Sequence, residues 1–411
     1  MTSPRYLVFT EQVVLSGLTF FSLLVFARYL DKFDWGVFSI SIALFHFLQG
    51  FQRALVTIPL ITYSPGEDKT KSSYVFWLRT MHRVVGAGVA IALLVLLASA
   101  VFFPEHWLSS ACLILLIIFI PHFYYEFARR CLIQLGMFKQ LLALSLLAAV
   151  VTGTAVIFSM LLSRSAIISA VAYSSGAAVV SVIALLALKR VALLGSQQIA
   201  LTNQKELRDF SRWSLYSHFA FSAYVIAIPV VLGFLSTPAA VAVLTAVRNL
   251  VQPLNTLLSA VDNVDKPRAS AAWADGGIPD LLNSLSQTRK VLGYIGGAYL
   301  VLILIFGEPI LSFLYAGKYD GNYQMLIVWA LVYVFMIISQ PTETGLYVLR
   351  KPAHLFKART IAAGVGMLVA LVSIPRLGAL GAGCGLLAGW ACNALITRYL
   401  LLKASQEADL P

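Results

Sequence analysis

The sequence is dominated by apolar runs about as long as a bilayer is thick, and this feature constrains the fold most strongly. A helix needs about 20 mostly apolar residues to cross the hydrocarbon core of a membrane. Apolar residues make up 59% of the chain and charged residues 12%, against about 45–50% and roughly 25% in soluble domains. Because lipid offers no hydrogen-bond partner to backbone groups, runs of this kind must form helices.

The runs predict an all-α polytopic membrane protein with about twelve transmembrane helices. The polar segments between the spans are too short to hold a separate folded domain. The expected spans are residues 10–30, 35–61, 77–103, 108–134, 139–162, 166–188, 211–235, 238–262, 286–306, 323–348, 355–374 and 378–402.

Basic residues in the loops and in the end turns of the spans fall mainly on one side of this topology. Alternating the loops places 23 lysines and arginines on one side and 5 on the other. Since positive residues collect on the cytoplasmic side, the bias predicts an even number of spans and cytoplasmic termini. The net charge of +12 therefore reports orientation, and we expect membrane lipids and no nucleic acid as partners.

The longest internal polar stretch, residues 189–212, divides the chain nearly in half. Within it, Asn203 and Glu206 have capping-box spacing, which is typical of an interfacial helix, although a solvated linker is an equal alternative. We predict an N-terminal six-helix lobe over 1–190, a cytoplasmic inter-lobe linker over 191–210 and a C-terminal six-helix lobe over 211–411.

Polar side chains inside two spans recur at intervals of three, four or seven residues and therefore share a helix face. A polar stripe facing lipid would be too costly, so each stripe is expected to face protein or a water-filled cavity. The candidate substrate-binding residues are His46, Gln49 and Arg53 in the second span, whose stripe also holds Ser39 and Thr57, and Arg248, Gln252 and Asn255 in the eighth.

Arg248 is the most informative single residue, because it lies about ten residues into its span. A cation near mid-membrane costs about 2.5–3.5 kcal/mol on insertion scales, so something must compensate it. One interpretation is a ligand for a diphosphate, which suits the forked donors of arginine. The alternative is a buried ion pair or carbonyl contact. Arg53 has the same two interpretations, and it lies near enough to its helix end to snorkel.

Three further charged residues are candidates for coupling or gating. Glu126 and Glu343 lie within the fourth and tenth spans, near their basic ends, where ion or proton coupling competes with simple pairing to local arginines. Arg28 ends the first span beside Asp31 and Lys32, and gating, binding and anchoring roles are all open there.

No pattern predicts catalysis, a cofactor or a metal site. The four cysteines lack paired spacing, and His46, His122 and His218 lack the spacing of metal ligands. The chain has no phosphate-cradling glycine loop and no Ser-His-Asp arrangement. We therefore predict that the protein is not an enzyme and binds no cofactor.

Three passages resemble the polysaccharide transporter branch of the multidrug/oligosaccharidyl-lipid/polysaccharide exporter superfamily, which includes O-antigen repeat-unit flippases. Phe26-Ala27-Arg28-Tyr29-Leu30 leading to Trp35-Gly36-Val37-Phe38 is similar to the family's first turn, with Asp31 where glycine is usual. The second passage is the expected turn at 307–311 leading to 314–319, and the third is the twelve-span layout with a central linker.

The resemblance implies two six-helix lobes around a central cavity and a lipid-diphosphate-linked oligosaccharide as substrate. It further implies transport across a bacterial inner membrane by alternating access, with polysaccharide assembly proteins as partners. Efflux of small cationic drugs by a related cation-coupled antiporter is the alternative, which the arginines inside the spans disfavour. A membrane enzyme of glycan assembly, which would need catalytic loop residues, and a scaffolding subunit are weaker alternatives.

The charge bias makes the topology testable with reporter fusions. We expect a fluorescent protein fused after Leu410 to fluoresce, because the C-terminus is predicted to be cytoplasmic. Alkaline phosphatase inserted after Gly321, in a predicted external loop, should be active. Alkaline phosphatase fused after Leu410 in place of the fluorescent protein should be inactive, and activity there would contradict the even number of spans.

Overall fold

The computed structural model describes residues 4–63, 67–102, 107–193, 204–349 and 351–408. Over these residues the chain is helical and forms no strand. It divides into two compact units, residues 1–218 and 219–411. Part of the predicted linker, including Asn203, lies outside the described residues, so the capping box and the linker boundaries stay predictions.

The first unit is built from seven helices and the first part of an eighth. A short π-helical segment, Arg53–Thr57, joins α2 to α3. The helices are α1 (Pro4–Tyr29), α2 (Lys32–Gln52), α3 (Ile58–Tyr63), α4 (Glu67–Phe102), α5 (Leu108–Gln134), α6 (Phe138–Leu162), α7 (Ala166–Leu193) and α8 (Gln204–Val225).

The second unit contains the end of α8 and six further helices. They are α9 (Ala227–Leu235), α10 (Pro238–Val251), α11 (Pro253–Tyr315), α12 (Tyr323–Val348), α13 (Pro352–Leu377) and α14 (Ala379–Ala408).

The predicted class, an all-α polytopic membrane protein, is confirmed. Ten helical stretches among the described residues are long and apolar enough to cross a membrane. The two predicted spans that are not among them correspond to α2, which passes into the π-helical segment, and to α10, a shorter apolar helix.

Two boundary predictions around the ninth span are wrong. Residues 263–285, expected as a loop, are helical, because α11 continues through them with a kink at Gly276 and Gly277. The expected turn at 307–311 is also helical, and α11 ends only at Tyr315, before Ala316 in the left-handed region. At Gly307 the two helices pack closely, since a Cβ there would lie 2.2 Å from Leu326 of α12.

Prolines interrupt helices where the polar stripes run. Pro59 has no N–H to bond the carbonyl one turn earlier, and just before it the chain adopts a π-helical turn in which the Ile58 N–H bonds the Arg53 carbonyl. Pro253 likewise separates α10 from α11 at Gln252. Both prolines thus accompany local interruptions of the helical hydrogen bonding.

The stripe residues of the second span differ in exposure. Arg53 is exposed and Gln49 is partly exposed, whereas Thr57 is 4% exposed and Ser39 is 6% exposed. The two buried residues face protein, which the expectation for the stripe allows, and a binding role for the others stays a prediction.

Helix α5 organises the first unit by packing against α2, α4 and α7. Side chains of α2 reach its backbone: Ser41 Oγ donates to the Ala111 carbonyl at 3.0 Å, and Gln52 Nε2 donates to the Phe123 carbonyl at 2.8 Å. In the second unit, α14 packs against α12 and α13, and α11 packs against α12. Many large apolar side chains are exposed, such as Leu162 at 82% and Phe313 at 78%, as a surface facing lipid requires.

A pair of helical glycines tests the packing of α6 on α7. A Cβ at Gly176 would lie 2.4 Å from the Ala148 carbonyl oxygen and from Thr152 Oγ1, whereas a Cβ at Gly153 would meet nothing within 4 Å. We expect Gly176→Ala to destabilise the protein by about 1–3 kcal/mol through overpacking. Gly153→Ala should be neutral or stabilising, because alanine favours the helix. Thermal unfolding in detergent measures both variants, and equal midpoints would contradict the packing described.

Candidate functional site: charged clusters within the two helical units

Arg53 lies at the end of α2 with two of the other predicted binding residues. Its Nη2 donates to Gln49 Oε1 at 3.2 Å, and His46 is exposed one turn before Gln49. Arg53 forms no salt bridge with any described residue. Glu126, Arg129 and Arg130 of α5 are near enough to interact with it electrostatically, so it adds a third cation to this part of the unit.

Next to Arg53 lies a buried ionic network that we name the Glu11 cluster, formed by Glu11, Gln12, Glu126, Arg129 and Arg130. Glu11 is fully buried on α1. The Arg129 guanidinium binds the Glu11 carboxylate in a bidentate fork, with Nε 2.5 Å from Oε1 and Nη2 2.7 Å from Oε2. Paired forks of this kind are among the stronger charged hydrogen bonds, and this one ties α1 to α5.

Glu126 belongs to the same cluster. Its Oε1 accepts from Arg130 Nε at 2.7 Å, and its Oε2 lies 3.3 Å from Arg129 Nη1. The two carboxylates of the cluster are thus matched by two guanidinium groups, and Arg53 is left without a carboxylate of its own. Glu126 is thus paired with local arginines, which is the alternative interpretation given for it above. A coupling role for Glu126 stays a prediction.

Glu343 of α12 has a comparable but differently built environment in the second unit. Its Oε2 accepts from Arg359 Nη2 of α13 at 2.7 Å, and its Oε1 accepts from Asn393 Nδ2 of α14 at 2.9 Å. The Arg359 guanidinium carbon also lies 5.6 Å from the centre of the Phe221 ring. Glu343 therefore joins three helices, and its coupling role likewise stays a prediction.

A polar cavity of about 260 Å³ adjoins Glu343, and Asn255, Lys266, Tyr347 and Arg359 also line it. We name it the Glu343 cavity. Since a water molecule takes about 30 Å³ in the liquid, the cavity has room for several. The structure thus brings together Asn255, a predicted binding residue, and Glu343, a predicted coupling residue.

Arg248 lies on α10 and is partly exposed. Its guanidinium forms no hydrogen bond or salt bridge with any residue that the structure describes. Tyr333 of α12 is the neighbour that interacts with it electrostatically. Among the described residues, the structure therefore does not contain the buried ion pair that was the alternative interpretation of Arg248.

The other polar residues near Arg248 in the sequence differ in exposure. Thr245 is buried and its hydroxyl donates to the Val241 carbonyl at 2.8 Å, so it serves the helix itself. Gln252 is partly exposed at the α10–α11 junction, and Asn255 is exposed one turn later.

Arg28 is exposed at the end of α1. Its guanidinium carbon and that of Arg164 each lie 5.9 Å from the centre of the Tyr29 ring. Asp31, which replaces the usual glycine of the resemblance, caps α2, because its carboxylate accepts the Asp34 N–H at 2.7 Å. The substitution thus has a local structural use.

Sequence reasoning did not single out four residues that contact Glu126, Glu343 or an arginine partner of Glu126. Glu11 and Arg129 carried signals, since a carboxylate within the first apolar run requires a partner and Arg129 follows Glu126 by three residues. Arg359 and Asn393 gave no local signal, because their contacts with Glu343 join separate helices.

The fold is shared with several solved transporters. A lipid II flippase, MurJ, in an inward closed conformation superposes with a TM-score of 0.70 at 15% identity, covering 99% of this chain and 90% of that one. A MOP superfamily transporter from Pyrococcus furiosus gives 0.65 at 13% identity, covering 98% and 94%. An outward-facing multidrug resistance MATE family transporter gives 0.61 at 13% identity, covering 99% and 97%.

The chain is therefore a multi-span protein with the fold of the MurJ and MATE structures. Residues 6–268 match the sequence profile of the family described as polysaccharide biosynthesis protein. The chain belongs to that family. No curated protein matches it by sequence.

The Glu11–Arg129 pair predicts an asymmetric response to mutation. Arg129→Leu leaves the Glu11 charge buried without its fork, and breaking such a pair costs about 3–5 kcal/mol. We expect a strongly lowered thermal midpoint in fluorescence-detected size-exclusion chromatography. Glu11→Leu combined with Arg129→Leu should recover much of the loss, because no single charge is then stranded.

Arg79→Leu is the matched control for this experiment, since Arg79 is exposed on α4, and it should keep the wild-type midpoint. A wild-type midpoint for Arg129→Leu alone would mean that the pair contributes nothing to stability.

Proposed function

We propose that this protein is a flippase that moves a lipid-diphosphate-linked oligosaccharide, a polysaccharide repeat unit, across the inner membrane by alternating access. The single observation that carries the proposal is Arg248, a cation in the middle of an apolar segment without an ionic partner among the described residues. The family and the transporter fold support the same conclusion.

The argument depends on a contrast between arginines. Arg129, Arg130 and Arg359 each contact a glutamate, so their charges are compensated whether or not cargo is bound. Arg248 and Arg53 have no such contact. Because an uncompensated cation is costly within a membrane, we infer that each of these arginines binds an anionic group of the cargo during transport, as a diphosphate offers.

The other predicted residues take roles that follow from this assignment. Gln49, His46, Gln252 and Asn255 supply hydrogen-bonding groups beside the two arginines, which suits hydroxyl and amide groups of sugars. We assign coupling to Glu126 and Glu343 and gating to Arg28. Cytoplasmic termini and cooperation with polysaccharide assembly proteins belong to the same proposal.

The second candidate function is cation-coupled efflux of small molecules, and the likeness to MATE transporters supports it. Cationic drugs require an acidic or neutral binding surface, since like charges within a low-dielectric site repel strongly. Arg53 and Arg248 are both cationic, and for this reason we place the flippase first.

Transport of a fluorescent polyisoprenyl-diphosphate oligosaccharide in proteoliposomes tests the proposal. We expect Arg248→Ala to slow transport roughly tenfold to a hundredfold, because a charged hydrogen bond contributes about 1.5–3 kcal/mol. Arg248→Lys should retain part of the rate, since it keeps the charge but loses the fork. Equal rates for Arg248→Ala and wild type would overturn the assignment of Arg248.

The matched control is Arg398→Ala, since Arg398 is exposed on α14 and outside the proposed path. A second arm measures uptake of a fluorescent organic cation driven by a proton or sodium gradient. Transport of that cation without transport of the oligosaccharide would favour the antiporter over the flippase.

A further inference from the structure

The first unit contains a larger cavity that the proposed function does not use. It has a volume of about 720 Å³ and is lined by side chains of α2, α4, α5 and α8. We name it the α4 cleft. Its lining is mostly aliphatic and aromatic, and the polar side chains in it are Thr80, Arg83, Arg208 and Ser211.

One face of α4 forms a long wall of the cleft. Phe76, Thr80, Arg83, Ala87 and Ile91 all line it, at spacings of four, three, four and four residues that keep them on one side of the helix. At a rise of 1.5 Å per residue, the eight residues from Arg83 to Ile91 extend about 12 Å. This distance is close to one leaflet of a hydrocarbon core about 30 Å thick.

Aromatic residues lie on the other side of Arg83. Phe76 and Trp77 precede it by about 10 Å of helix, near the start of the candidate span that begins at Ser73. The Trp77 side chain is buried, at 1% exposure, where it lines the cleft. The wall therefore has an aromatic end at Trp77, a cation at Arg83 and an apolar end at Ile91.

The charged side chains that line the cleft among the described residues have one sign. Arg83 and Arg208 line it, and no carboxylate whose side chain the structure describes does. Both side chains are exposed, and neither has a hydrogen bond or a salt bridge with a residue of the described ranges. A ligand with an anionic head and an apolar body would match both parts of the lining.

We propose that the α4 cleft binds one phospholipid with an anionic headgroup, with its phosphate at Arg83 and Arg208 and an acyl chain along the wall toward Ile91. The cleft reaches the lipid-facing surface, because Phe76 is 40% exposed and Ile91 is 56% exposed. Beyond the two arginines, the lining offers Thr80 and Ser211 as its polar side chains, which is too little for an oligosaccharide. We therefore assign the cleft to a phospholipid and not to the oligosaccharide part of the cargo.

The floor of the cleft depends on a close approach of α4 to α5. Gly88 lines the cleft, and a Cβ there would lie 2.5 Å from Phe119 Cζ. Phe119 can therefore pack directly against the α4 backbone and present its ring to the cleft. Trp77, which also lines the cleft, provides a local fluorescent reporter.

Quenching of tryptophan fluorescence by brominated phospholipids tests the proposal on the purified full-length chain in detergent. The chain has 7 tryptophans, so the Trp77 signal is the difference between wild type and Trp77→Phe. We expect brominated phosphatidylglycerol to quench this signal at lower concentration than brominated phosphatidylcholine. Arg83→Gln with Arg208→Gln should weaken phosphatidylglycerol binding roughly thirtyfold, at about 1 kcal/mol per arginine.

Arg79→Gln is the matched control, because Arg79 is exposed on the same helix but does not line the cleft, and it should keep wild-type quenching. Wild-type thermal midpoints for all variants exclude misfolding as the cause. Equal quenching by the two lipids, or an unchanged response in the double variant, would overturn the proposal.

A competition arm separates this site from the cargo path. If polyisoprenyl diphosphate displaces brominated phosphatidylglycerol more effectively than unbrominated phosphatidylglycerol does, the cleft belongs to the cargo and the phospholipid proposal fails. The effect of Arg248→Ala on transport does not depend on that result, so the two proposals can fail separately.

Discussion

Water cannot solvate a charge within the hydrocarbon core of a membrane, so each ionised side chain in a span needs a partner from the protein or from what the protein binds. In this chain the requirement shapes the packing. The fork between Arg129 and Glu11 joins α1 to α5, and Glu343 joins α12 to α13 and α14. Arg53 and Arg248 stand outside these networks, and the transport proposal depends on that difference.

Much of the fold was predictable, because membrane length and hydropathy act locally on the chain. The span predicted at 108–134 matches α5, and the span predicted at 323–348 matches α12. The extent of α11 was not predictable, since glycine and proline are typical of turns, yet the helix continues through Gly307 and Pro309. Hydropathy also cannot distinguish a polar loop from a polar helix, and for this reason the helical residues 263–285 were expected as a loop.

The candidate site was predictable only in part. Helical spacing identified residues that require compensation, such as Arg248 and Glu343, but not what compensates them. Partners on the same helix, such as Arg130 for Glu126, follow from spacing of three or four residues. Partners on other helices, such as Asn393 for Glu343, depend on tertiary packing that one sequence does not reveal.

The π-helical turn at Arg53–Thr57 has a consequence for how related chains should align. Geometrically, such a turn is an α-helix with one residue inserted. A change to regular α-helix without a deletion would rotate everything that follows by about 100°, whereas a relative that also lacks one residue keeps the faces of α3. A single-residue gap near Arg53 in an alignment would thus mark loss of the π-helical turn, with the residues after the gap still on the same helix faces.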